Sequence, residues 1–519
     1  MGKGIDQETF DQLDYTRFQQ RLEQCLSTLG RLLQRPGFGV GPATLGAELE
    51  LFLVDDAARP RLRNQAVRAA AADPRVNLEL DRFNLELNAT PTPLAGRPFA
   101  VLGEELRLLL EHVAGAARTH GARLALIGIL PTLGHADLHP GVISDVPRYR
   151  ALNSGLQRLR NDPFHLRIAG AEPLELASDD VSLEGAATSF QVHLRVDPAD
   201  FARTYNAVQA ATAPVLAVSG NSPTFLGHRL WEETRIALCK QSLDERDRRG
   251  LRRRLARVAF GTGWLRGGAL ELFAEGVRLH QPLLPVLGDH DPSDGGDQWR
   301  APPLEELRLH QGTVWRWNRA IYDPASGGHL RIEMRALPAG PTVVDMLANA
   351  ALLVGLSLWL AGQDRPWTYT LSFERAEHSF YRAAQHGLAA ELSWPFGDDG
   401  RLTTLPAAEL VPQLLPVARD GLVHAGVAAV EADRLLGVIA ARVAAGQTGA
   451  VWQRRMLAAL EPGLGRECAL AAMLERYLEC AASDQPVHTW RLPARLTAAR
   501  QTLPRQPGPP ADPSVSKQR

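Results

Sequence analysis

The chain mixes long stretches that have apolar residues at helical spacing with short stretches in which apolar and polar residues alternate. Helical spacing predicts helices at residues 16–35, 98–120, 199–217, 229–258, 343–362, 374–392, 406–445 and 449–481. Alternation or a short apolar run predicts strands at residues 45–54, 76–88, 123–131, 188–196 and 329–337. The pattern therefore predicts an α+β protein that becomes helical towards its C-terminus.

Two further stretches have neither pattern. Residues 286–303 are rich in Asp, Gly and Pro and predict a long loop. The end of the chain lacks apolar periodicity and predicts a disordered tail. We expect four parts: an N-terminal helical segment at 1–37, a main domain at 38–400, a helical part packed on it at 401–500, and the tail at 501–519.

Four of the predicted strands carry reactive side chains on one face, because residues two apart on a strand point to the same side. The groups are Glu48 with Glu50; Asn84 with Glu86 and Asn88; Ser189 with Gln191, His193 and Arg195; and Arg331 with Glu333 and Arg335. The opposite faces carry Leu, Val, Ile, Phe and Met. A polar strand face is often only a solvated sheet face. The recurrence of Glu, His and Arg favours a binding face.

These side-chain types suit a particular ligand. Carboxylates with one imidazole suit a hard divalent cation such as Mg²⁺ or Mn²⁺, and arginines beside them suit a bound anion such as phosphate. Phosphoryl transfer needs both, because metal bridges the phosphate oxygens while cationic groups stabilise the developing charge. The sequence therefore indicates a site for phosphate carried with metal, as in a nucleotide.

The charge balance narrows the partners. The chain has 57 basic and 58 acidic residues and a net charge of −1, so no basic field attracts nucleic acid or a membrane surface, and small molecules are the expected partners. All but three basic residues are arginines; the lysines are Lys3, Lys240 and Lys517. No G-x-x-x-x-G-K-[ST] loop occurs, so arginine, metal or backbone must hold phosphate. A Schiff base would require Lys240.

The cysteines and the most apolar run exclude other classes. Cys25, Cys239, Cys468 and Cys480 form no C-x-x-C pair, which argues against a zinc ribbon and a disulfide framework. The run from Met346 to Ala361 is short for a membrane span and predicts a buried helix. The polar start is unlike a signal peptide. We expect a cytoplasmic location.

Four motifs resemble the carboxylate–amine ligases related to glutamate–cysteine ligase. GAELELFLVD resembles that family's G-x-E-x-E strand, NLELNATPTP its E-L-x-T-P segment, FQVHLRV its Q/H-V-H strand, and RIEMRALPAGPTVVD its late E-x-R strand. The resemblance runs from about Thr44 to Gly397. It implies a glutamine synthetase-like catalytic fold at 38–400, which is a curved antiparallel sheet with a polar catalytic face backed by helices.

Matching positions imply roles for individual residues. The implied metal ligands are Glu48, Glu50, Glu86, His193 and Glu333, with Glu79 as a weaker candidate. Arg335 and Arg235 match catalytic arginines, and Arg335, Gln191 and Arg331 match the nucleotide-binding positions. The segment HQGTVWRWNRAIYD resembles one near the substrate pocket and makes His310 and Arg319 candidates. A structural role for His310, and core packing for Trp315 and Trp317, remain alternatives.

The resemblance implies an ATP- and Mg²⁺-dependent (or Mn²⁺-dependent) ligase that joins an amine to the side-chain carboxylate of glutamate through an acyl phosphate. Cysteine is the first choice of amine, which would make γ-glutamylcysteine for glutathione biosynthesis. In AEHSFYRAAQHGL, however, His378 replaces the family's asparagine and Gln385 its arginine. A different amine, a metal-dependent hydrolase and a nucleotide-binding regulatory protein without turnover remain alternatives. Family analogy also favours a homo-oligomer.

Overall fold

The structure, a computed structural model, describes residues 5–160, 163–246, 255–292, 300–364, 366–396 and 401–492. Its helices are α1 Gln12–Leu33, α2 Asn64–Ala71, α3 Pro98–Arg118, α4 Pro147–Leu159, α5 Phe201–Ser219, α6 Thr234–Ser242, α7 Ala269–Leu279, α8 Glu305–Gln311, α9 Val343–Ala361, α10 Phe373–His386, α11 Ala407–His424, α12 Ala429–Ala445, α13 Gly449–Leu464 and α14 Arg466–Ala481. Its strands are β1 Thr44–Val54, β2 Val76–Leu78, β3 Asn84–Asn88, β4 Thr92–Pro93, β5 Arg123–Ala125, β6 Phe164–Ile168, β7 Leu174–Ser178, β8 Phe190–Val196, β9 Thr224–Phe225, β10 His228–Arg229, β11 Asn318–Asp323, β12 His329–Met334, β13 Glu391–Phe396 and β14 Arg401–Pro406.

One curled sheet organises the molecule. Its main strands follow the order β11-β12-β8-β1-β3-β2, and β4 and β5 pair with the two ends of β1. Every pairing in it is antiparallel. Two-residue periodicity gives each strand a buried apolar face, so the α+β prediction of a curved antiparallel sheet with a polar face is confirmed.

Helices α5 and α9 cover the apolar face of the sheet and pack against each other. Helix α9 is apolar almost all round, and nearly all of it is buried. Helices α11 and α12 pack against its outer side. The contact with α11 is a backbone contact, because a Cβ on Gly355 would lie 2.3 Å from the carbonyl oxygen of Ala418, and one on Gly421 would lie 2.1 Å from that of Gly355.

A buried polar contact also joins the C-terminal helices to α9. Arg442 of α12 donates to Asp345 Oδ1 at 2.8 Å and to the side-chain oxygen of Asn349 at 2.5 Å. Asp345 in turn is bonded to Thr342, which caps the start of α9. This buried arginine, bonded through both of its terminal nitrogens, fixes the relative position of the two helices, because leaving it unpaired would cost several kcal/mol.

Two helical stretches of the described chain are long and apolar enough to cross a membrane by composition, Val343–Ala361 and Ala429–Leu464. In the fold, 83% of the most apolar window of the first is buried, and 50% of that of the second. The first is the central helix α9, as the prediction of a buried helix at Met346–Ala361 required. Composition alone therefore does not make either stretch a membrane span.

Several predicted boundaries were wrong. The helix predicted at 229–258 is only α6 within the described residues, since β10 precedes it. The helix at 374–392 ends at His386, where Gly387 has a positive φ and β13 follows. The single helices at 406–445 and 449–481 are each two helices, which are interrupted near Gly426 and Gly465, both with positive φ.

Other predictions were too long or fall outside the described chain. Of the strand predicted at 123–131 only β5 forms, and the chain then runs irregularly. Residues 286–292 and 300–303 are irregular, as the loop prediction requires, whereas 293–299 lie outside the described residues. The tail at 501–519, residues 493–500 and residues 1–4 also lie outside them.

Candidate active site on the polar sheet face

Strand pairing arranges the predicted polar residues in rows across the sheet. Glu333 pairs with His193, which pairs with Gly46. In the next row Glu48 lies between Gln191 and Asn88, and Glu50 then pairs with Glu86. Because adjacent rows on one face are two residues apart along each strand, side chains from four strands converge. Gly46 places no side chain in its row.

The first ligand group consists of Glu48, His193 and Glu333, all buried. Their potential ligand atoms lie within 4.8 Å of one another. His193 Nε2 is 3.3 Å from Glu48 Oε1 and 3.9 Å from Glu333 Oε1, but it makes no hydrogen bond. A buried nitrogen that faces two carboxylates without a bonded partner fits a divalent cation.

The surroundings of this group keep its two carboxylates ionised. Burial opposes ionisation of Glu48, but the neighbouring His193 outweighs it and lowers the pKa of Glu48 to about 2. Burial is likewise outweighed at Glu333, where Arg319 and Arg335 hold the pKa well below its usual value. Both carboxylates are therefore ionised at neutral pH and can act as ligands.

The imidazole of His193 has a second contact. Nδ1 accepts a hydrogen bond from Arg331 Nε at 3.1 Å, so in a neutral ring the proton is on Nε2. Metal coordination through Nε2 would require that proton to leave, and a ligating histidine usually donates from its other nitrogen. Arg331 Nη1 also donates to Asp323 Oδ2 at 2.6 Å. Its bond to Nδ1 of His193 would therefore have to change when a metal binds.

The second ligand group consists of Glu50, Glu79 and Glu86, whose potential ligand atoms also lie within 4.8 Å of one another. Glu50 accepts from the backbone N–H of Ser189 at 2.6 Å and from Gln191 Nε2 at 2.7 Å. Glu86 accepts from Asn88 Nδ2 at 2.8 Å. The structure thus places Glu79, the weaker candidate, beside two of the principal ones.

Crowding of these carboxylates makes their ionisation costly without a cation. Burial, with the charge of Glu48, raises the pKa of Glu86 to about 7. Burial and the charge of Glu86 raise the pKa of Glu79 well above its usual value, and burial raises that of Glu50. Three carboxylates that repel one another in a buried site are the arrangement that a bound divalent cation stabilises.

Arg335 connects the two groups. Its Nη1 donates to Gln191 Oε1, whose amide nitrogen holds Glu50, and it lies 3.3 Å from Glu333 Oε2. The backbone N–H of Arg335 donates to the carbonyl of Trp317 at 2.9 Å. The side chain is only 19% exposed. Solvent therefore screens the guanidinium charge only weakly from the other charges of the polar face.

Arg235 lies behind Arg335. Its Nε donates to Glu233 Oε1 at 3.1 Å, Nη1 to the carbonyl of Arg335 at 3.5 Å, and Nη2 to the carbonyl of Ala336. The guanidinium is thus bonded to the backbone that carries Arg335. This geometry favours a positioning role for Arg235 over the direct catalytic role that the sequence suggested.

Of the remaining sequence candidates, some lie on the polar face and others lie in the core. Arg319 lies on the polar face and binds Glu333. His310 is buried and contacts the carbonyl of Gly276 at 2.9 Å, and burial lowers its pKa to about 3. The structural interpretation of His310 is therefore favoured. Trp317 is 4% exposed and packs against Phe380, as a core residue does.

Three other residues singled out in the sequence, Lys240, Cys239 and Gln385, are not part of either ligand group. Lys240 donates to Tyr381 OH at 2.8 Å. Burial raises the pKa of Cys239 to about 12, which makes it a poor nucleophile. Gln385 accepts from Arg382 at 3.3 Å within α10.

Sequence reasoning missed Glu184, which lies in the irregular segment between β7 and β8. Burial and the charge of Glu50 raise its pKa to about 7, while Arg335 opposes this. Its carboxylate makes no hydrogen bond or ion pair with any residue that the structure describes. Irregular backbone has no periodicity from which to read a shared face, so the only sequence signal was the position five residues before Ser189.

Comparisons with known proteins bear on the family and the fold. Residues 44–265 match the profile of Glutamate-cysteine ligase family 2, so the family resemblance read from the motifs is confirmed over that stretch. Two curated proteins, both provisionally named glutamate–cysteine ligase 2-2, are similar. The one from Mycobacterium sp. (strain KMS) is 37% identical over 110 residues, and the one from Mycolicibacterium vanbaalenii is 38% identical over 108 residues.

These matches are local. The first covers 21% of this chain and 29% of the mycobacterial protein, and the second 21% and 28%, so the chain spans under a third of the length of these relatives. A solved glutamate–cysteine ligase from Francisella tularensis, in complex with AMP, is similar over 87% of this chain and 90% of its own, with a TM-score of 0.51 and 11% identity. That likeness confirms the fold.

Proposed function

We propose that this protein, which matches Glutamate-cysteine ligase family 2 over residues 44–265, is an ATP-dependent carboxylate–amine ligase. It would join an amine to the side-chain carboxylate of glutamate, with cysteine as the first amine to test. The observation that carries the proposal is the pair of ligand groups on one sheet face, connected by Arg335. The protein would act in the cytoplasm, which would supply ATP and the substrates.

The ligand groups suit a metal-bound triphosphate. Glu48, His193 and Glu333 would hold one cation, and Glu50, Glu79 and Glu86 a second. Five carboxylates and one imidazole favour Mg²⁺ or Mn²⁺ over softer metals. When bound, these ions supply positive charge that neutralises the triphosphate and aligns its γ-phosphorus.

The residues of the chain would act on two steps. In the first, an oxygen of the glutamate side chain attacks the γ-phosphorus of ATP, the bond from that phosphorus to the bridging oxygen breaks, and ADP leaves. Arg335 would stabilise charge on the transferred phosphoryl group through its guanidinium. Arg319 and Gln191 keep Glu333 and Glu50 in place during this step.

In the second step the amine nitrogen attacks the acyl carbon, the carbon–oxygen bond to phosphate breaks, and phosphate leaves. The nitrogen loses one proton as the amide forms.

The direct test measures ADP release with Mg²⁺, ATP and glutamate across a panel of amines led by cysteine. ADP release that requires both glutamate and one amine supports the ligase and identifies the acceptor. Amide or phosphate-ester hydrolysis without ATP would favour the metal-dependent hydrolase instead. Tight ATP binding with no ADP release would favour a nucleotide-binding regulatory protein.

Variants link the activity to the site. Glu48→Ala and Glu333→Ala are each expected to abolish ADP release while the protein stays folded. Glu409→Ala, at an exposed position of α11, is the matched control and should retain full activity. Near-normal turnover in both site variants would contradict the assignment.

A further inference from the structure

A recess of about 250 Å³ lies on the other side of the sheet edge from the ligand groups. It is bordered by α5, α7, the loop at 261–266 and Arg316, just before β11. On β11, Asn318 points towards α5, where it donates to Gln209 and Thr212, whereas Arg319 points to the polar face. Arg316, two residues before Asn318, borders the α5 side. The recess is therefore separate from the candidate active site.

Balanced charge is the main chemical feature of the recess. Arg316 Nη2 lies 2.9 Å from Glu275 Oε2, and both side chains are mostly buried, at 9% and 17% exposure. Thr262 Oγ1 donates to the other oxygen of Glu275. At the mouth, Arg266 is exposed, and Glu271 accepts from the backbone N–H of Arg266 at 3.1 Å. Two guanidinium groups thus border the recess with two carboxylates.

The mixed charges around the recess favour some classes of ligand over others. A phosphate or nucleotide would meet the two carboxylates, and a polyamine would meet the two arginines, so both are disfavoured. A zwitterion satisfies both signs, because its carboxylate can pair with guanidinium and its ammonium with carboxylate. The side chains of Tyr205 and Trp264 add an apolar wall. The volume suits a molecule of amino-acid size rather than a nucleotide.

A short segment connects the recess to the candidate active site. Arg316 is followed by Trp317, whose carbonyl accepts the backbone N–H of Arg335 at 2.9 Å. Two residues later, Arg319 binds the Glu333 carboxylate through Nε and Nη2. A ligand that shifts Arg316 would therefore act within one to three residues on the groups that hold Arg335 and Glu333.

We propose that the recess binds a free α-amino acid as a zwitterion, and that its occupation changes the turnover of the ligase. The binding part stands on the recess alone, and the regulatory part rests on the proposed function. The ligand is an effector rather than a substrate, since its site lies across the sheet edge from the ligand groups.

Gly263 provides a test that removes no contact. It borders the recess, and a Cβ built on it meets no atom within 4 Å, so Gly263→Trp adds a side chain in open space. The matched control is Gly437→Trp on α12, where a Cβ also meets no atom and the position is exposed. Arg266→Glu is a second variant, which changes the charge balance at an exposed position without filling the recess.

Binding is measured by calorimetric titration of the full chain with each of the twenty amino acids, without ATP. At least one amino acid should bind the parent protein and the Gly437→Trp variant equally, and bind Gly263→Trp and Arg266→Glu at least tenfold more weakly. Binding unchanged in both recess variants, or no binding of any amino acid to the parent, would overturn the proposal. Glutamate held at the polar face is recognised because Gly263→Trp leaves its binding unchanged.

Turnover is tested separately. The bound amino acid should change ADP release in the parent and in Gly437→Trp but not in Gly263→Trp, whose basal ADP release should persist. Binding without any effect on turnover would overturn the regulatory part. Because the titration needs neither ATP nor catalysis, absence of ligase activity would leave the binding result intact, so the two proposals fail separately.

Discussion

Arg319 holds Glu333 through two parallel hydrogen bonds, from Nε to Oε2 at 2.6 Å and from Nη2 to Oε1 at 2.9 Å. A third contact, from Nη1 to the carbonyl of Gln311 at 3.2 Å, fixes the arginine itself. Residues that orient a metal-binding carboxylate strongly affect the affinity for the metal. The fork of Arg319 therefore controls the geometry of the first ligand group.

Replacement of Arg319 by lysine keeps the charge but loses the fork. We expect ADP release to fall about 10- to 100-fold, with a higher Mg²⁺ concentration needed for half-maximal rate. Arg203→Lys is the control, because Arg203 forms an exposed pair with Asp200 on the surface. A change confined to stability, with the Mg²⁺ dependence intact, would contradict the orienting role.

Arg335 and Arg235 should respond differently to substitution. Arg335→Lys should lower kcat by about 10²- to 10³-fold, since the guanidinium acts on charge that develops in the transition state, with little change in Tm. The rate is measured at saturating ATP and glutamate.

Arg235→Gln should mainly destabilise the fold, because Glu233, which is fully buried, loses its cationic partner. Breaking a buried ion pair from one side costs about 3–5 kcal/mol. Thermal unfolding of the two variants side by side separates catalytic from positioning roles; equal stability with loss of rate in both would place Arg235 in direct catalysis.

The two ligand groups predict two metal ions per chain. Mn²⁺ titration in the presence of a non-hydrolysable ATP analogue, followed by electron paramagnetic resonance, should give a stoichiometry of two. Glu79→Gln should reduce it to one, because the second group keeps only Glu50 and Glu86. Glu409→Gln should leave it at two, and an unchanged stoichiometry in Glu79→Gln would remove Glu79 from the ligand set.

Glu184 should make the stability of the metal-free protein depend on pH. Its folded-state pKa is raised to about 7 from an ordinary value of 4.5, so the folded state binds the extra proton between these values. The resulting stability is fully present below about pH 4.5 and is lost as pH rises through about 7. Glu184→Gln should therefore equal the parent near pH 5 and be more stable near pH 8, by on the order of 2 kcal/mol.

The measurement is chemical unfolding with a chelator present across this pH range. Glu409→Gln, at an exposed position, should follow the parent curve at every pH. If Glu184→Gln loses stability at pH 8 instead, the carboxylate has a charged partner that offsets its burial.

Much of the polar face could be predicted from the sequence, because strand periodicity is simple. Glu48 and Glu50 had to share a face once β1 was recognised, and the same holds for Glu333 and Arg335 on β12. The order in which strands pair could not be read from the chain itself. Only the structure shows it, and the observed register brings His193 beside both Glu48 and Glu333.

Contacts made by irregular backbone could not be predicted. Glu184 comes from a segment without alternation, and the recess depends on how the loop at 261–266 folds over α5. Arg235 was assigned a catalytic role because residue type alone does not show whether an arginine contacts substrate or backbone carbonyls. Its bonds to the carbonyls of Arg335 and Ala336 are tertiary contacts that spacing does not encode.

The glycine contact between α9 and α11 limits how the chain can be divided. At Gly355 and Gly421 the two helices touch through backbone atoms, so no larger residue fits on either side. A fragment ending before Ala407 would leave the outer surface of α9 in water. Exposed apolar surface of that kind drives self-association, so an attempt to express the sheet and its covering helices alone should yield aggregates.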